Sequence, residues 1–161
     1  MRLEIEQNVE NVGDEMNTLR YIIAGVFLIL CSISDIRTGK IYVYLCYVTE
    51  LLAIVLCLMG SRNQLIYQIL GITPGVFLYL VSIASKEQIG KGDAWIFIVI
   101  GSLIGMEYLV TMFLLSLVLV PVIGIPVLLI QKKSLKTKIP FAPFISVAYI
   151  LILFLREGIV N

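Results

Sequence analysis

The sequence predicts an all-α polytopic membrane protein, a bundle of about six transmembrane helices, and three observations lead there. Apolar residues make up 60 % of the chain, charged residues only 14 %, and histidine is absent; a soluble globular domain has a different balance. Apolar stretches recur at lengths near the roughly 20 residues that a helical span requires. The remaining charges gather between those stretches. The spans fall at about 19–36, 41–60, 65–85, 93–106, 107–130 and 140–156. With a net charge of +1, the chain lacks the basic patch that nucleic-acid phosphates need, and the lipid bilayer is its main partner.

Residues 1–18 read as an acidic tail, from Glu4 through Glu15, and residues 19–161 as one membrane domain. A signal peptide would have a basic first region and a small-residue cleavage site, and the tail has neither. Ile5, Val9, Val12, Met16 and Leu19 recur at helical spacing. The tail is therefore either a short amphipathic helix continuous with the first span or a solvated, partly disordered segment. The first span ends in Ser34-Asp35-Ile36-Arg37-Thr38-Gly39-Lys40. On the second, Cys46, Glu50, Ala53 and Cys57 form a small, partly polar stripe that should face the bundle interior. Glu50 lies mid-span with no basic residue at similar depth. It is either a protonated structural hydrogen-bond donor or part of a polar cavity.

The third and fourth spans carry Gly71 with Gly75 and Gly101 with Gly105, glycines four apart that let helix backbones approach closely in lipid. The fourth span opens at Gly90-Lys91-Gly92-Asp93, and only Gly105, Met106 and Glu107 separate it from the fifth, which predicts a tight helical hairpin. Pro121, Gly124 and Pro126 predict a kinked fifth helix. Lys138-Ile139-Pro140-Phe141-Ala142-Pro143-Phe144 reads as a loop ending in a proline-rich helix start. Cys31, Cys46 and Cys57 lie inside spans at no metal-ligand spacing, so they are packing residues and no metal or cofactor is expected.

Orientation follows from lysine and arginine. Arg37 and Lys40, then Lys86 and Lys91, then Lys132, Lys133, Lys136 and Lys138 follow the first, third and fifth spans, whereas the other side has Arg2, Arg20, Arg62 and Arg156. The positive-inside rule puts the first group in the cytoplasm and both termini outside. Asp35 and Asp93 then share the cytoplasmic edge of the cell membrane.

One aspartate at a membrane boundary is most simply an interfacial anchor or a helix cap; two on the same face point to chemistry. An ionisable side chain near hydrocarbon is costly unless it functions. A carboxyl dyad hydrolyses a peptide when one member activates water and the other donates a proton to the carbonyl oxygen. Asp35 sits at a helix end rich in free carbonyls and Asp93 at an N-cap, so helix ends alone make Asp93 the base and Asp35 the acid. Gly90 and Gly92 remove side chains beside Asp93 and let the chain turn sharply and a substrate backbone come near.

Asp35-Ile36-Arg37-Thr38-Gly39-Lys40-Ile41, Gly90-Lys91-Gly92-Asp93 and Ile139-Pro140-Phe141-Ala142-Pro143-Phe144 resemble, in order, three motifs of the type IV prepilin peptidases. The resemblance covers nearly the whole chain from the first span onward. It implies a membrane aspartic endopeptidase that removes a short basic leader from prepilin-like proteins at the cytoplasmic face. Asp35 and Asp93 would be catalytic, with Gly90, Lys91, Gly92, Pro140 and Phe141 positioning the substrate. A glycine before the cut is part of the same implication. Tyr42 and Val43 stand where the family commonly has Pro-Asn, and Trp95 where it commonly has lysine. Long members add a cysteine-rich segment associated with methylation, to which nothing here corresponds, so no methyltransferase activity is expected. The compact form resembles the short peptidases of tight-adherence pilus systems and of Gram-positive and archaeal relatives. A leader peptidase for a non-pilin secreted peptide, or a non-catalytic membrane adaptor, would share these residues.

Overall fold

The computed structural model describes residues 2–59, 62–85, 90–130 and 140–160, and their side chains except at 2–14, 62–64, 128–129 and 156–160. These residues form α1 (Arg2–Thr38), α2 (Val43–Leu58), α3 (Arg62–Ala84), α4 (Lys91–Ile104) and α5 (Met106–Leu119). A π-helical turn (Val120–Gly124), α6 (Ile125–Ile130) and α7 (Ala142–Val160) follow. The π turn joins α5 to α6 without a break, so the described residues form a bundle of six helical segments. Glu15–Thr38, Leu65–Ala84 and Met106–Val127 are long and apolar enough to cross a bilayer, and Val43–Leu58 and Ala142–Leu155 are shorter apolar helices. The lysines at 86, 132, 133, 136 and 138, on which the orientation reading leans, lie outside the described residues, as do the side chains of Arg2, Arg62 and Arg156.

Glycines and prolines set the helix boundaries. α1 runs unbroken from the acidic tail into the first span and stops at Gly39, whose φ of 61° is left-handed and whose N–H donates to the Asp35 carbonyl at 2.8 Å. Gly105, at φ 85°, is the sole residue between α4 and α5, which makes the expected hairpin tighter than the three residues read from the sequence. Pro121 lacks the N–H that a regular α-helix would use, and the fifth segment accommodates it by widening to a π turn.

α4 is the axis of the bundle. Ala94, Ile96, Phe97, Val99, Ile100, Gly101, Ser102 and Leu103 are all buried. At 14 residues the helix is about 21 Å long, short of the ~30 Å hydrocarbon layer. Its neighbours rather than lipid surround it, so it need not match the bilayer. The expected glycine contacts are present: a Cβ on Gly71 would strike the Gly101 carbonyl, one on Gly101 the Gly71 carbonyl, and one on Gly75 would lie 2.5 Å from the Ile98 nitrogen. α3 and α4 therefore cross backbone to backbone. The stripe on α2 turns inward as read, with Cys46, Ala53 and Cys57 buried. Glu50 accepts a hydrogen bond from Ser102 Oγ of α4 at 2.8 Å, a bond worth about 0.6 kcal/mol between membrane helices. Its carboxylate also borders a cavity of about 170 Å³ between α2 and α3.

Arg20, read as a charge of the outer side, is engaged at the end of α2 that this reading places outside. It is buried within α1, and its guanidinium donates to the Leu56 carbonyl in the last turn of α2 at 3.2 Å. A cation placed there answers the carbonyl end of a helix. The outward apolar side chains, among them Ile29, Leu51, Phe77 and Leu114, form the surface that lipid covers.

Candidate active site

Asp35 occupies the last turn of α1, where local hydrogen bonds lock the backbone. Ser34 Oγ donates to the Lys40 carbonyl at 2.7 Å, and Thr38 Oγ1 to the Ser34 carbonyl at 2.8 Å. The Lys40 N–H returns to Thr38 Oγ1 at 3.3 Å. With Gly39 these bonds fold the α1–α2 loop back onto the helix end. The Asp35 carboxylate is thereby aimed across the bundle, where Oδ2 accepts the backbone N–H of Ala142 at 3.0 Å. Ala142 is the first residue of α7, and its N–H is one of those a helix start leaves without an internal partner. Asp35 supplies that partner from another helix.

Asp93 lies in the first turn of α4, but not at its N-cap: that position is Gly90, and the Asp93 N–H donates to the Gly90 carbonyl at 3.1 Å. The side chain folds back over Gly90, where an added Cβ would lie 2.9 Å from Asp93 Oδ2. Asp93 is half-buried, and the charge of Asp35 acts on its carboxyl. The fold thus brings both aspartates to one end of the bundle, at the meeting of the α1 C-terminus with the starts of α4 and α7.

The glycines of this loop serve packing more than turning. Gly90 has φ −61° and ψ 124°, open to any residue. A Cβ on Gly92 would stand 2.9 Å from Ile41 Cβ and 3.0 Å from its Cδ1, so Gly92 makes room for the α1–α2 loop to close over α4. The expectation that both glycines supply a sharp turn is corrected on this geometry. Lys91 is exposed at the head of α4. Phe141 stacks on Phe97 of α4 with centroids 6.4 Å apart and planes 19° apart. Pro140 precedes it, and the Phe141 carbonyl receives the N–H groups of Phe144 and Ile145 as α7 begins.

Trp95 is two residues beyond Asp93 and so points to the opposite side of α4. There it meets Tyr47 of α2 and Tyr79 of α3 edge-on, at 5.0 and 5.9 Å. The position where the resembling family commonly carries lysine is used here to wedge α4 between two helices. Ala142 and Ile41 are the residues that sequence reasoning missed. The free N–H groups expected at any helix start were the available signal for Ala142, whereas nothing local marked Ile41.

The model of the type IV leader peptidase family matches residues 22–125. Two curated relatives are a "Prepilin leader peptidase/N-methyltransferase" of Legionella pneumophila, 34 % identical over 76 residues, and one of the same name from Haemophilus influenzae, 39 % identical over 71 residues. The aligned segments cover 47 % and 44 % of this chain but only 26 % and 29 % of those proteins. No solved structure matches.

Proposed function

The chain belongs to the type IV leader peptidase family, and from that premise we propose that it is a membrane aspartic endopeptidase that removes the basic leader of prepilin-like substrates at the cytoplasmic face of the cell membrane. The observation that carries this reading is the carboxyl pair itself, Asp35 held by the Ala142 N–H and acting on Asp93. A backbone N–H at a helix start is a partner for an anion, so Asp35 is the base that draws a proton from water. Asp93 is the acid. This is the reverse of the roles that the helix ends alone suggested, and what supports it is the backbone donor that α7 brings to Asp35.

In the reaction, water attached to Asp35 attacks the scissile carbonyl carbon as Asp93 protonates the carbonyl oxygen. The tetrahedral gem-diol collapses when the proton taken by Asp35 passes to the leaving amine and one gem-diol hydroxyl returns its proton to Asp93, so the C–N bond breaks, a carboxyl product forms and both carboxyls regain their starting states. The scissile segment must enter unwound, since helical amides are already hydrogen-bonded. In this reading Gly90, Lys91, Gly92, Pro140 and Phe141 position it.

The test is co-expression of the full chain with a prepilin-like protein bearing a basic leader and a glycine before the cut, read as a size shift. Asp35→Asn and Asp93→Asn should each abolish the shift, a loss of at least a thousandfold, at normal membrane abundance. Robust processing by either variant would falsify the dyad. Infrared spectra separate the two roles: a protonated-carboxyl band should vanish in Asp93→Asn and persist in Asp35→Asn.

A further inference from the structure

One turn below Asp35 and Ala142, α1 and α7 are joined by a pair of serine hydroxyls. Ser32 Oγ and Ser146 Oγ are 2.6 Å apart. Ser32 Oγ also reaches the Leu28 carbonyl at 2.8 Å, and Ser146 Oγ reaches the same carbonyl at 3.1 Å and that of Ala142 at 3.0 Å. Two hydroxyl protons are thus shared among two carbonyls and the two hydroxyl oxygens, and a bond between the helices forms when either serine donates to the other or Ser146 donates to the Leu28 carbonyl. Both polar groups of Ala142 are engaged as a result: its N–H by Asp35 Oδ2 and its carbonyl by Ser146 Oγ. Cys31 and Ala142 are fully buried at this seam, and their small size lets the two helices come close enough for the hydroxyls to touch.

Serines in membrane helices commonly satisfy their own i−4 carbonyl and need no second partner. Ser32 and Ser146 do that and also reach across to each other, three residues before Asp35 and four after Ala142. A separation of α7 from α1 by about 1 Å would stretch the 2.6 Å Oγ–Oγ contact past hydrogen-bond range and draw the Ala142 N–H away from Asp35 together. Misplacement of that size is known to cost up to a hundredfold in rate.

We infer that Ser32 and Ser146 are positioning residues that hold the start of α7, and with it the Ala142 N–H, against the base Asp35. This rests on the peptidase reading above and adds the device that sets the geometry of its base. Neither hydroxyl touches substrate, so binding should be indifferent to them while turnover is not.

The experiment measures cleavage of a synthetic peptide with a basic leader, a glycine before the cut and an apolar helix, by the full chain in detergent. Ser32→Ala and Ser146→Ala should each lower kcat about tenfold with KM unchanged. The double variant should be no slower than either single one, since both remove the same contact. Ser146→Thr, which keeps the hydroxyl, should restore most of kcat. Ser116→Ala, which removes a fully buried hydroxyl bonded within its own helix to the Phe113 carbonyl, should leave kcat alone. Serine variants as fast as wild type, with Asp35→Asn inactive in the same preparation, would overturn the positioning role and leave the peptidase intact. An equal fall in Ser116→Ala would also overturn it, by showing general loosening of the bundle. Asp35→Asn cleaving as fast as wild type would overturn both readings.

Discussion

Gly92 has no steric room for a side chain. Its missing Cβ is the space that Ile41 occupies, at 2.9 Å from Cβ to Cβ if one were added, closer than packed carbons tolerate. Gly92→Val should therefore push the α1–α2 loop off α4 and lower cleavage at least tenfold at normal membrane abundance. Ile41→Ala in the same background should recover part of that loss, because it empties the contested volume. Failure of the second change to help, in a peptide-cleavage assay, would mean that Gly92 matters through substrate contact instead. The motif glycine was legible in the sequence, but its reason was not, since Ile41 lies 51 positions earlier in the chain. By contrast Gly39 could be read locally: a helix that ends at Thr38 needs a left-handed residue next, and glycine adopts φ 61° without strain.

Between elements, the crossing of α3 on α4 decides where Asp93 sits, because α4 has no lipid anchor of its own. Gly101→Val would force a branched side chain into the Gly71 backbone, and overpacking of that kind costs roughly 3 kcal/mol. Leu114→Val on α5, exposed to lipid, should change stability by less than about 0.5 kcal/mol. Unfolding of the purified protein by titrated denaturing detergent measures both. If Gly101→Val unfolded with wild type, α3 and α4 would not pack through their glycines. The glycine spacing of four marked these two helices as close-packing; that they pack on each other was decided by the fold.

For the whole molecule, the Asp35–Ala142 hydrogen bond orients the bundle. The end of α1 and the starts of α4 and α7 meet on one side, so the start of α1 and the end of α7 lie on the other. Combined with the lysine bias of the loops, the proposed reading predicts that this end faces the cytoplasm. A reporter fused after Asn161 should then read as external and one inserted near Lys133 as cytoplasmic. A cytoplasmic reading after Asn161 would reverse the membrane orientation or remove a span. It would leave the Asp35–Ala142 hydrogen bond untouched.

Local chemistry and composition determined the class by themselves. Sixty per cent apolar residues cannot be covered by water, the apolar runs set the helices, and glycine and proline set their ends, all through interactions within a few residues. The two aspartates could be picked out for the same reason, since a charge beside hydrocarbon stands out in any window of sequence. What the tertiary structure alone decided was every relation between helices: Ala142 donating to Asp35, Ser32 meeting Ser146, Ser102 answering Glu50 and Ile41 filling the space of Gly92. Those pairs are separated by 107, 114, 52 and 51 residues along the chain, and periodicity within one helix carries no information about which face of another it will meet. The base and acid proposed here rest on one of those pairs, Ala142 with Asp35. The partial charge of a helix end can be read from its own sequence, whereas the stronger hydrogen bond came from a helix more than a hundred residues away.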